Sequence, residues 1–509
     1  MEDSVIFQNP DGVLSSDAPQ NLKFERADWT SFRTVEGLQQ RAGVAASKLR
    51  GLVLKELADN ALDTGASVHV GELPDGGYFI EDEGSGIEGS PEEIARLFSI
   101  ARPMISTKLL RLPTRGALGN GLRVVAGAVL ASEGWLVVTT KDRRIELRPE
   151  RHGSTTVVGV KPVKFPVGTR IEIGFGPAIP EDGQALLWAQ IAIVMRDGQT
   201  YAGKSSPFWY DVPQFHELLS ASGKTSVREL VANLDGCTGG HAGVIVAAAS
   251  MGRTLCADVN HEHAQKLLSA AREIARPVNP CRLGAIGPEK FEKKAYAIAS
   301  AVVRFGAAPC AEIPVVVEAW VAVREEMLLV VCINRTPVAG DISAARDKRD
   351  VDIYGCGLAH TVASAPREKE FSIWLNIITP YMPITSDGKE PDLLPFLDVI
   401  RDAVGKAVRK AHRPSGSSTR SQKDVVLDNL DDAIAEVSGD EGFRFNERQL
   451  FYVVRPIVMK GIGEELKIGN FKSIITDYED EFGDIPLMYR EPRGSISHRT
   501  VTRRSRWAR

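Results

Sequence analysis

Cysteine is scarce in this sequence, and long apolar runs are missing. The six cysteines include no C-x-x-C pair, so they are predicted to be small buried hydrophobes rather than disulfides or zinc ligands. No apolar run approaches the ~18 residues of a membrane span, and the N-terminal residues lack the basic-then-apolar plan of a signal peptide. The sequence therefore predicts a cytoplasmic protein without a membrane partner.

A large excess of one charge is also missing. The formal net charge is −4, which does not by itself indicate nucleic-acid binding, so any DNA contact has to come from local basic patches. A length of 509 residues predicts roughly three or four domains. A composition of 43% apolar and 25% charged residues is ordinary for a globular protein.

The sequence does contain a helix pattern with two polar residues one turn apart. In SKLRGLVLKELADNALDTGA, residues 47–66, apolar residues recur at helical spacing as a buried stripe, and Gly65 suits the C-terminal end. Glu56 and Asn60 lie four positions apart, which puts them on one face of the helix. A carboxylate and a carboxamide in this arrangement suit activation of a water and ligation of a hard cation such as Mg²⁺.

Two glycine-containing segments follow this helix. A short alternating strand, GGYFIEDEGSGI, ends at Asp82, whose carboxylate can accept a hydrogen bond from the exocyclic amine of a base. In RGALGNGLRVVAGAVLA an apolar helix begins among glycines, and the free N–H groups of a helix N-terminus favour phosphate. Thr169 stands at the entry of a further strand, PVGTRIEIGF, and is predicted to reach the same base.

The segments ELADNALD, DEGSGI, GALGNG and GT, in this order and spacing, resemble the four nucleotide-binding boxes of the GHKL ATPases, the superfamily of gyrase, MutL, the heat-shock chaperones and sensor histidine kinases. The resemblance implies a Bergerat-type α/β sandwich with ATP and Mg²⁺ as cofactors. It implies that Glu56 is the general base, Asn60 the Mg²⁺ ligand and Asp82 the adenine reader. The other ATP-binding residues that it implies are Gly84, Gly86, Lys108, Gly116, Leu118, Gly119, Asn120, Gly121 and Thr169.

Cations outside these boxes offer further phosphate contacts. Lys108, Arg111 and Arg115 face phosphates if their loop closes over the nucleotide, and form a solvated basic loop if it does not. Residues 312–412 predict three strands and a long helix, an α/β layer. In this position the layer resembles the transducer domain of the topoisomerase VI B subunit, which implies that Lys389, in the turn ITSDGKE, contacts the γ-phosphate and acts in hydrolysis. An exposed turn lysine is the alternative.

The C-terminal part resembles another family. Residues 441–494 are similar to the opening of the winged-helix cleavage domain of the topoisomerase VI A subunit, which implies Tyr452 as a DNA nucleophile and Arg448 as its phosphate-positioning partner. A core tyrosine in an amphipathic helix is the alternative. B-like and A-like parts on one chain resemble the fused bacterial topoisomerases called topoisomerase VIII. The metal-binding Toprim domain expected next is missing, and the arginine-rich end suggests a frameshift or truncation near Ile496.

The sequence therefore predicts a multidomain α/β (α+β) protein that works as an ATP-gated homodimeric clamp on duplex DNA in the bacterial cytoplasm or nucleoid. A separate Toprim-containing cleavage subunit would supply the missing metal site. The alternatives are a MutL-like or chaperone-like GHKL clamp and a truncated inactive remnant. The predicted parts are a GHKL domain with an N-terminal arm (1–200), a mostly helical segment (201–300), the transducer domain (301–412), a linker (413–440) and a partial winged helix (441–509).

Overall fold

The computed structural model describes residues 28–74, 76–101, 110–116, 121–365, 369–385, 390–412, 421–439, 442–482, 485 and 487–490. The chain forms two compact units, Met1–Ala411 and His412–Arg509. Within the described ranges, no helix is long and apolar enough to cross a membrane.

The first part of unit one is an antiparallel sheet with helices packed on one face. Its strands are β1 (Val68–Glu72), β2 (Tyr78–Asp82), β3 (Trp135–Thr140), β4 (Arg143–Pro149), β5 (Thr155–Pro162) and β6 (Thr169–Gly174), in the order β1-β2-β6-β3-β4-β5. Along β4, buried Ile145 and Leu147 alternate with exposed Glu146 and Arg148, so only one face of the sheet joins the core. The helices are α1 (Val35–Ala42), α2 (Leu49–Leu62), α3 (Pro91–Leu97), α4 (Gly121–Ser132) and α5 (Leu187–Val194).

A helical segment with a core of its own follows. Its helices are α6 (Val212–Ser222), α7 (Val227–Ala232), α8 (Gly240–Ala248) and α9 (His261–Ile274). They begin where the sequence supplies caps. Asp211 accepts a hydrogen bond from the N–H of Gln214 at the start of α6, and Asn260 accepts one from the N–H of His263 at the start of α9. Trp209, Phe215 and Leu267 are fully buried between these helices.

A second sheet follows the helical segment in unit one. Its strands are β7 (Ala295–Phe305), β8 (Ala311–Arg324), β9 (Leu328–Ile333), β10 (Thr336–Pro337) and β14 (Glu370–Ile378), in the order β10-β9-β14-β8-β7. β9 and β14 run parallel, and the other neighbours are antiparallel. Helix α10 (Leu397–His412) packs into the core of this sheet. A small antiparallel sheet, β11 (Ser343–Asp347), β12 (Asp350–Gly355) and β13 (Leu358–Ser364), joins the same core.

Unit two is a small helical body. Its elements are α11 (Gln422–Asp428), α12 (Leu430–Ser438), β15 (Phe445–Asn446), α13 (Glu447–Ile462), α14 (Ile468–Phe482) and β16 (Met488–Tyr489). The predicted linker is wrong over the described residues 421–439, which form α11 and α12. The reason is local: Ser421 and Asp424 make a capping box that starts α11, and Val425 and Val426 are buried in the core.

The predicted α/β class is confirmed, but the sequence underestimated the number of strands. The layer predicted as three strands holds five, and β11, β12 and β13 are additional. β7 runs across position 300, so the predicted boundary between the helical segment and the transducer domain falls inside a strand. In the missed β7, AYAIASAVVRF, the two buried positions are the alanines Ala297 and Ala299, which give a weak alternation signal.

Candidate functional site

Helix α2 is buried on every side except at two residues. Of its fourteen residues, only Glu56 and Asn60 are not buried. The predicted single apolar stripe is therefore too narrow a description, because α4, α5 and β2 all pack against this helix. Asn60 Nδ2 donates to the carbonyl oxygen of Glu56 at 2.9 Å, across one turn. The two residues that the spacing singled out thus share one opening on an otherwise enclosed helix.

The Glu56 carboxylate lies against the first residue of helix α4. A β-carbon at position 121 would overlap Glu56 Oε2, so only glycine fits there while the carboxylate keeps its place. The other oxygen, Oε1, lies 2.9 Å from Lys55 Nζ. The carboxylate is thereby held between a helix N-terminus, which carries partial positive charge, and a buried ammonium group. The side chain of Glu56 keeps 20% of its surface exposed, enough to meet a water.

Lys55 holds a second carboxylate as well. Its Nζ lies 3.2 Å from Asp59 Oδ2, one helical turn further along. Burial alone would lower the pKa of Lys55, but Glu56 and Asp59 together raise it above its ordinary value, so the ammonium stays charged. Sequence analysis missed Lys55 and Asp59. Two charged residues spaced i, i+4 inside an apolar helix were the available signal.

The second part of the site is a corner where three strands end side by side. Asp82 of β2 and Thr140 of β3 both pair with Thr169 of β6, and all three are buried. Burial raises the pKa of Asp82, while hydrogen bonds from the N–H groups of Gly84 and Thr169 oppose the shift. Asp82 is 6% exposed, so the residue is almost completely shielded from bulk water.

The glycines around this corner permit close backbone packing. Gly168, at φ +80°, donates its N–H to the carbonyl oxygen of Gly84 at 2.9 Å, and a β-carbon at 168 would overlap the carbonyl oxygen of Asp82. Gly86, at φ +77°, lies over Thr140, whose Oγ1 would be 2.7 Å from an added β-carbon. The DEGSGI and GT segments, more than eighty residues apart in sequence, therefore form one structural corner.

If Asp82 accepts a hydrogen bond from the adenine amine, as the resemblance implies, Asp82→Asn should lower the affinity for ATP about 10- to 100-fold, because a charge-assisted hydrogen bond becomes a neutral one. The fold should survive, since the asparagine oxygen can still accept the Gly84 N–H at the 2.9 Å that Asp82 Oδ1 uses. Titration with ATP and with GTP measures both affinity and base preference. Unchanged ATP affinity, or an equal loss for both nucleotides, would remove Asp82 from the base-reading role.

Asn60 fits the predicted magnesium ligand. Its amide nitrogen is committed to the Glu56 carbonyl oxygen, so the carboxamide oxygen is the atom that it can offer a cation. Within the described ranges, no group of three or more His, Cys, Asp or Glu residues could hold a metal ion. One protein oxygen still suits Mg²⁺, which in nucleotide sites is held mainly by substrate phosphates and waters.

The two arginines offered as phosphate contacts are committed elsewhere. The Arg111 guanidinium donates to the carbonyl oxygen of Trp209 and stacks 3.8 Å from the centre of the Tyr381 ring. Arg115 lies against Asp59 on α2, with 3.4 Å between Nη1 and Oδ1. Neither a solvated loop nor a phosphate contact describes them. Both partnerships span distant parts of the sequence, so local patterns could not predict them.

Several predicted residues lie outside the described ranges. These are Lys108, Leu118, Gly119, Asn120 and Lys389. Gly116 is described, at φ +56° directly after Arg115. The contacts that the resemblance implies for the five residues outside the described ranges remain predictions.

The predicted DNA residues of unit two lie on the surface of α13. Tyr452 is 57% exposed, and Arg448 is exposed one turn before it. The neighbouring Phe451 is buried and packs against Phe471, with ring centroids 5.5 Å apart. The alternative of a core tyrosine is therefore wrong, because Phe451 occupies the core position of this turn.

Comparisons with known proteins give remote structural similarity. Comparison with protein-family models gave no match. Comparison with curated proteins likewise gave no match. Among solved structures, the N-terminal domain of a DNA repair protein is 12% identical with a TM-score of 0.32, covering 71% of this chain and 95% of its own.

Two further solved structures are an ATPase region and an ATPase domain. That of Saccharomyces cerevisiae topoisomerase II, bound to ICRF-187, is 10% identical with a TM-score of 0.30, covering 68% of this chain and 76% of its own. The 43K ATPase domain of Thermus thermophilus gyrase B, with an aminocoumarin, is 13% identical with a TM-score of 0.27, covering 88% and 93%. Similarity at this level carries no argument about function, which has to rest on the site itself.

Proposed function

We propose that this chain binds and hydrolyses ATP at the opening beside Glu56. The observation that carries the proposal is the single break in the burial of α2, where Glu56 meets the glycine that begins α4 and Asn60 lies one turn further along. An enclosed apolar helix gains nothing in stability from two open polar residues. A carboxylate beside a helix N-terminus, with an open carboxamide one turn away, suits a base, a phosphate-binding group and a cation ligand.

The roles follow from the chemistry of each group. Glu56 accepts a proton from the attacking water, and its place beside Lys55 and Gly121 fixes the direction of that carboxylate. Asn60 would hold Mg²⁺, which neutralises phosphate charge when bound. Asp82 accepts a hydrogen bond from the adenine amine, and Thr169 and the glycine corner set the position of that acceptor.

The finer proposal is a type IIB topoisomerase module of the topoisomerase VI B or topoisomerase VIII type, an ATP-gated homodimeric clamp on duplex DNA. Its support is the order of the sequence motifs, together with the exposure of Tyr452 and Arg448 on α13. Lys389 enters on its sequence motif alone. Strand cleavage through Tyr452 would need a metal site, because a phenol is a poor nucleophile at its ordinary pKa of ~10, and a Toprim-containing cleavage subunit is the proposed source of that site.

Steady-state ATP hydrolysis by the full chain, with and without supercoiled DNA, tests both levels of the proposal. We expect hydrolysis that requires Mg²⁺ and rises severalfold with DNA. Hydrolysis indifferent to DNA would retain the ATPase and favour a clamp whose client is a protein. No hydrolysis above that of a Glu56→Ala blank would overturn the ATPase proposal and favour an inactive remnant.

A further inference from the structure

Asp59 lies on helix α2 close to Glu56 and Asn60, but it is not exposed in the opening that these two residues share. It sits between Glu56 and Asn60 on α2 and is only 3% exposed. Its Oδ1 accepts a hydrogen bond from the Thr336 hydroxyl at 3.0 Å and lies 3.4 Å from Arg115 Nη1. Its Oδ2 lies 3.2 Å from Lys55 Nζ. One buried carboxylate thus contacts groups from three separate segments of the chain.

Lys55 carries the effect of Asp59 to Glu56. The ammonium lies 2.9 Å from Glu56 Oε1 and 3.2 Å from Asp59 Oδ2, so one cation is shared by two carboxylates. Lys55 is 6% exposed, and turning toward solvent would break its ion pairs with both carboxylates. Any displacement of the Asp59 carboxylate therefore moves Lys55, and with it the partner that orients Glu56.

At its other end, the chain of contacts is fixed to the second sheet. Thr336 is the first residue of β10 and follows the turn at Asn334 and Arg335. Asn334 exchanges hydrogen bonds with Thr379, just beyond β14, and the Arg335 N–H donates to Asn376 Oδ1 at 3.0 Å. The position of the Thr336 hydroxyl therefore depends on the position of the five-stranded sheet.

Arg115 strengthens the same junction. Its Nη1 donates to the carbonyl oxygen of Arg335 at 2.7 Å, and its Nη2 donates to that of Met195 at 3.2 Å. Burial lowers the pKa of Arg115, and the nearby Asp59 carboxylate opposes this shift. A purely structural anchor for the second sheet would need no shared lysine. Lys55 contacts both Asp59 and Glu56, and it thereby connects the contact between α2 and the second sheet to the proposed site of hydrolysis.

We infer that Asp59 is a positioning residue that makes the orientation of the Glu56 carboxylate depend on the place of Thr336 in the five-stranded sheet. The inference rests on the proposed ATP hydrolysis. It adds a route, Thr336–Asp59–Lys55–Glu56, by which movement of that sheet changes turnover without any contact with the nucleotide.

Thr336→Val in the full chain tests the route, because it removes the hydroxyl and preserves the shape of the side chain. We expect the kcat of ATP hydrolysis to fall about tenfold, the effect of losing a hydrogen bond to a charged group. The affinity for a non-hydrolysable ATP analogue should change by less than about twofold, since none of the contacts that bind nucleotide is removed. Thr336→Ser retains the hydroxyl and should restore kcat.

The matched control is Thr361→Val. Thr361 donates to Asp352 Oδ1 at 2.6 Å on the small three-stranded sheet, so this variant loses the same kind of hydrogen bond at an exposed place. It should hydrolyse ATP like the unmodified chain. If Thr336→Val matches this control, or loses analogue affinity in parallel with kcat, the inference is overturned while the ATPase proposal stands. Absence of hydrolysis by the unmodified chain would overturn both.

Discussion

Glu56→Ala is expected to lower the kcat of ATP hydrolysis by ~10²–10⁴-fold, the usual contribution of a general base. Glu56 is the carboxylate on α2 that remains open, while the nearby Asp59 is enclosed and committed to Lys55, Arg115 and Thr336. No neighbour on this helix can therefore replace it as the acceptor of the water's proton. Stopped-time assays of phosphate release at saturating ATP and Mg²⁺ measure the loss.

The same substitution should leave nucleotide binding nearly unchanged. Asp82 and the glycine corner, which are proposed to read the base, lie on the sheet rather than on α2, and Lys55 keeps Asp59 as a partner at 3.2 Å. The fold should therefore tolerate the loss of one carboxylate. Glu56→Gln is the matched variant, because it preserves shape and can still accept a hydrogen bond from Lys55. A loss of analogue binding in Glu56→Gln would contradict the role as base and indicate a structural role instead.

Helix α2 shows which features of the site the sequence could predict and which it could not. Spacing alone placed Glu56 and Asn60 on one face, and they are the two open residues of the helix. The same periodicity predicted a single buried stripe, whereas Leu54 and Asp59, off that stripe, are buried too. A helical pattern reports which residues favour a core, but it cannot report how many other elements will cover the helix.

Long-range partners account for most of what sequence analysis missed. Arg115 was predicted from its local surroundings as a phosphate contact or a solvated cation, and its carbonyl partner Arg335 is 220 positions away. β9 and β14 pair in parallel, although the three strands of the small sheet lie between them in sequence. The number of strands in the layer therefore depends on pairings that no local window contains. By contrast, β3 was predictable to the residue, because its six residues, WLVVTT, form one short run of aromatic, apolar and β-branched side chains.

Asp82 and Thr169, from two separate motifs, were predicted to reach the same base, and the fold brings these two motifs together at one corner. A strand register that pairs Asp82 with Thr169 brings the turn after β2 against the turn before β6. In that contact the N–H of Gly168 bonds to the Gly84 carbonyl oxygen at 2.9 Å. Glycine at these positions is thus required by the approach of two backbones. The sequence shows the glycines but contains no local sign of that contact.

Gly168→Ala is expected to lower the affinity for adenine nucleotides by about 10²-fold and the free energy of unfolding by about 3 kcal/mol. The added β-carbon would overlap the carbonyl oxygen of Asp82, a backbone atom that cannot turn aside, and alanine also disfavours the φ of +80° at this position. The end of β2 would have to move, and the Asp82 carboxylate with it. Nucleotide titration and denaturant unfolding measure the two effects.

Gly76→Ala separates the overlap from the cost of positive φ. Gly76, in the turn between β1 and β2, has a φ of +85°, but an added β-carbon there meets no atom within 4 Å. It should cost about 1 kcal/mol of stability and leave nucleotide affinity intact. If both variants lose affinity equally, general loosening of the sheet is the cause. If only Gly168→Ala loses it, nucleotide binding depends on the close contact of the two turns, and the position of Asp82 in that corner determines whether the site can read a base.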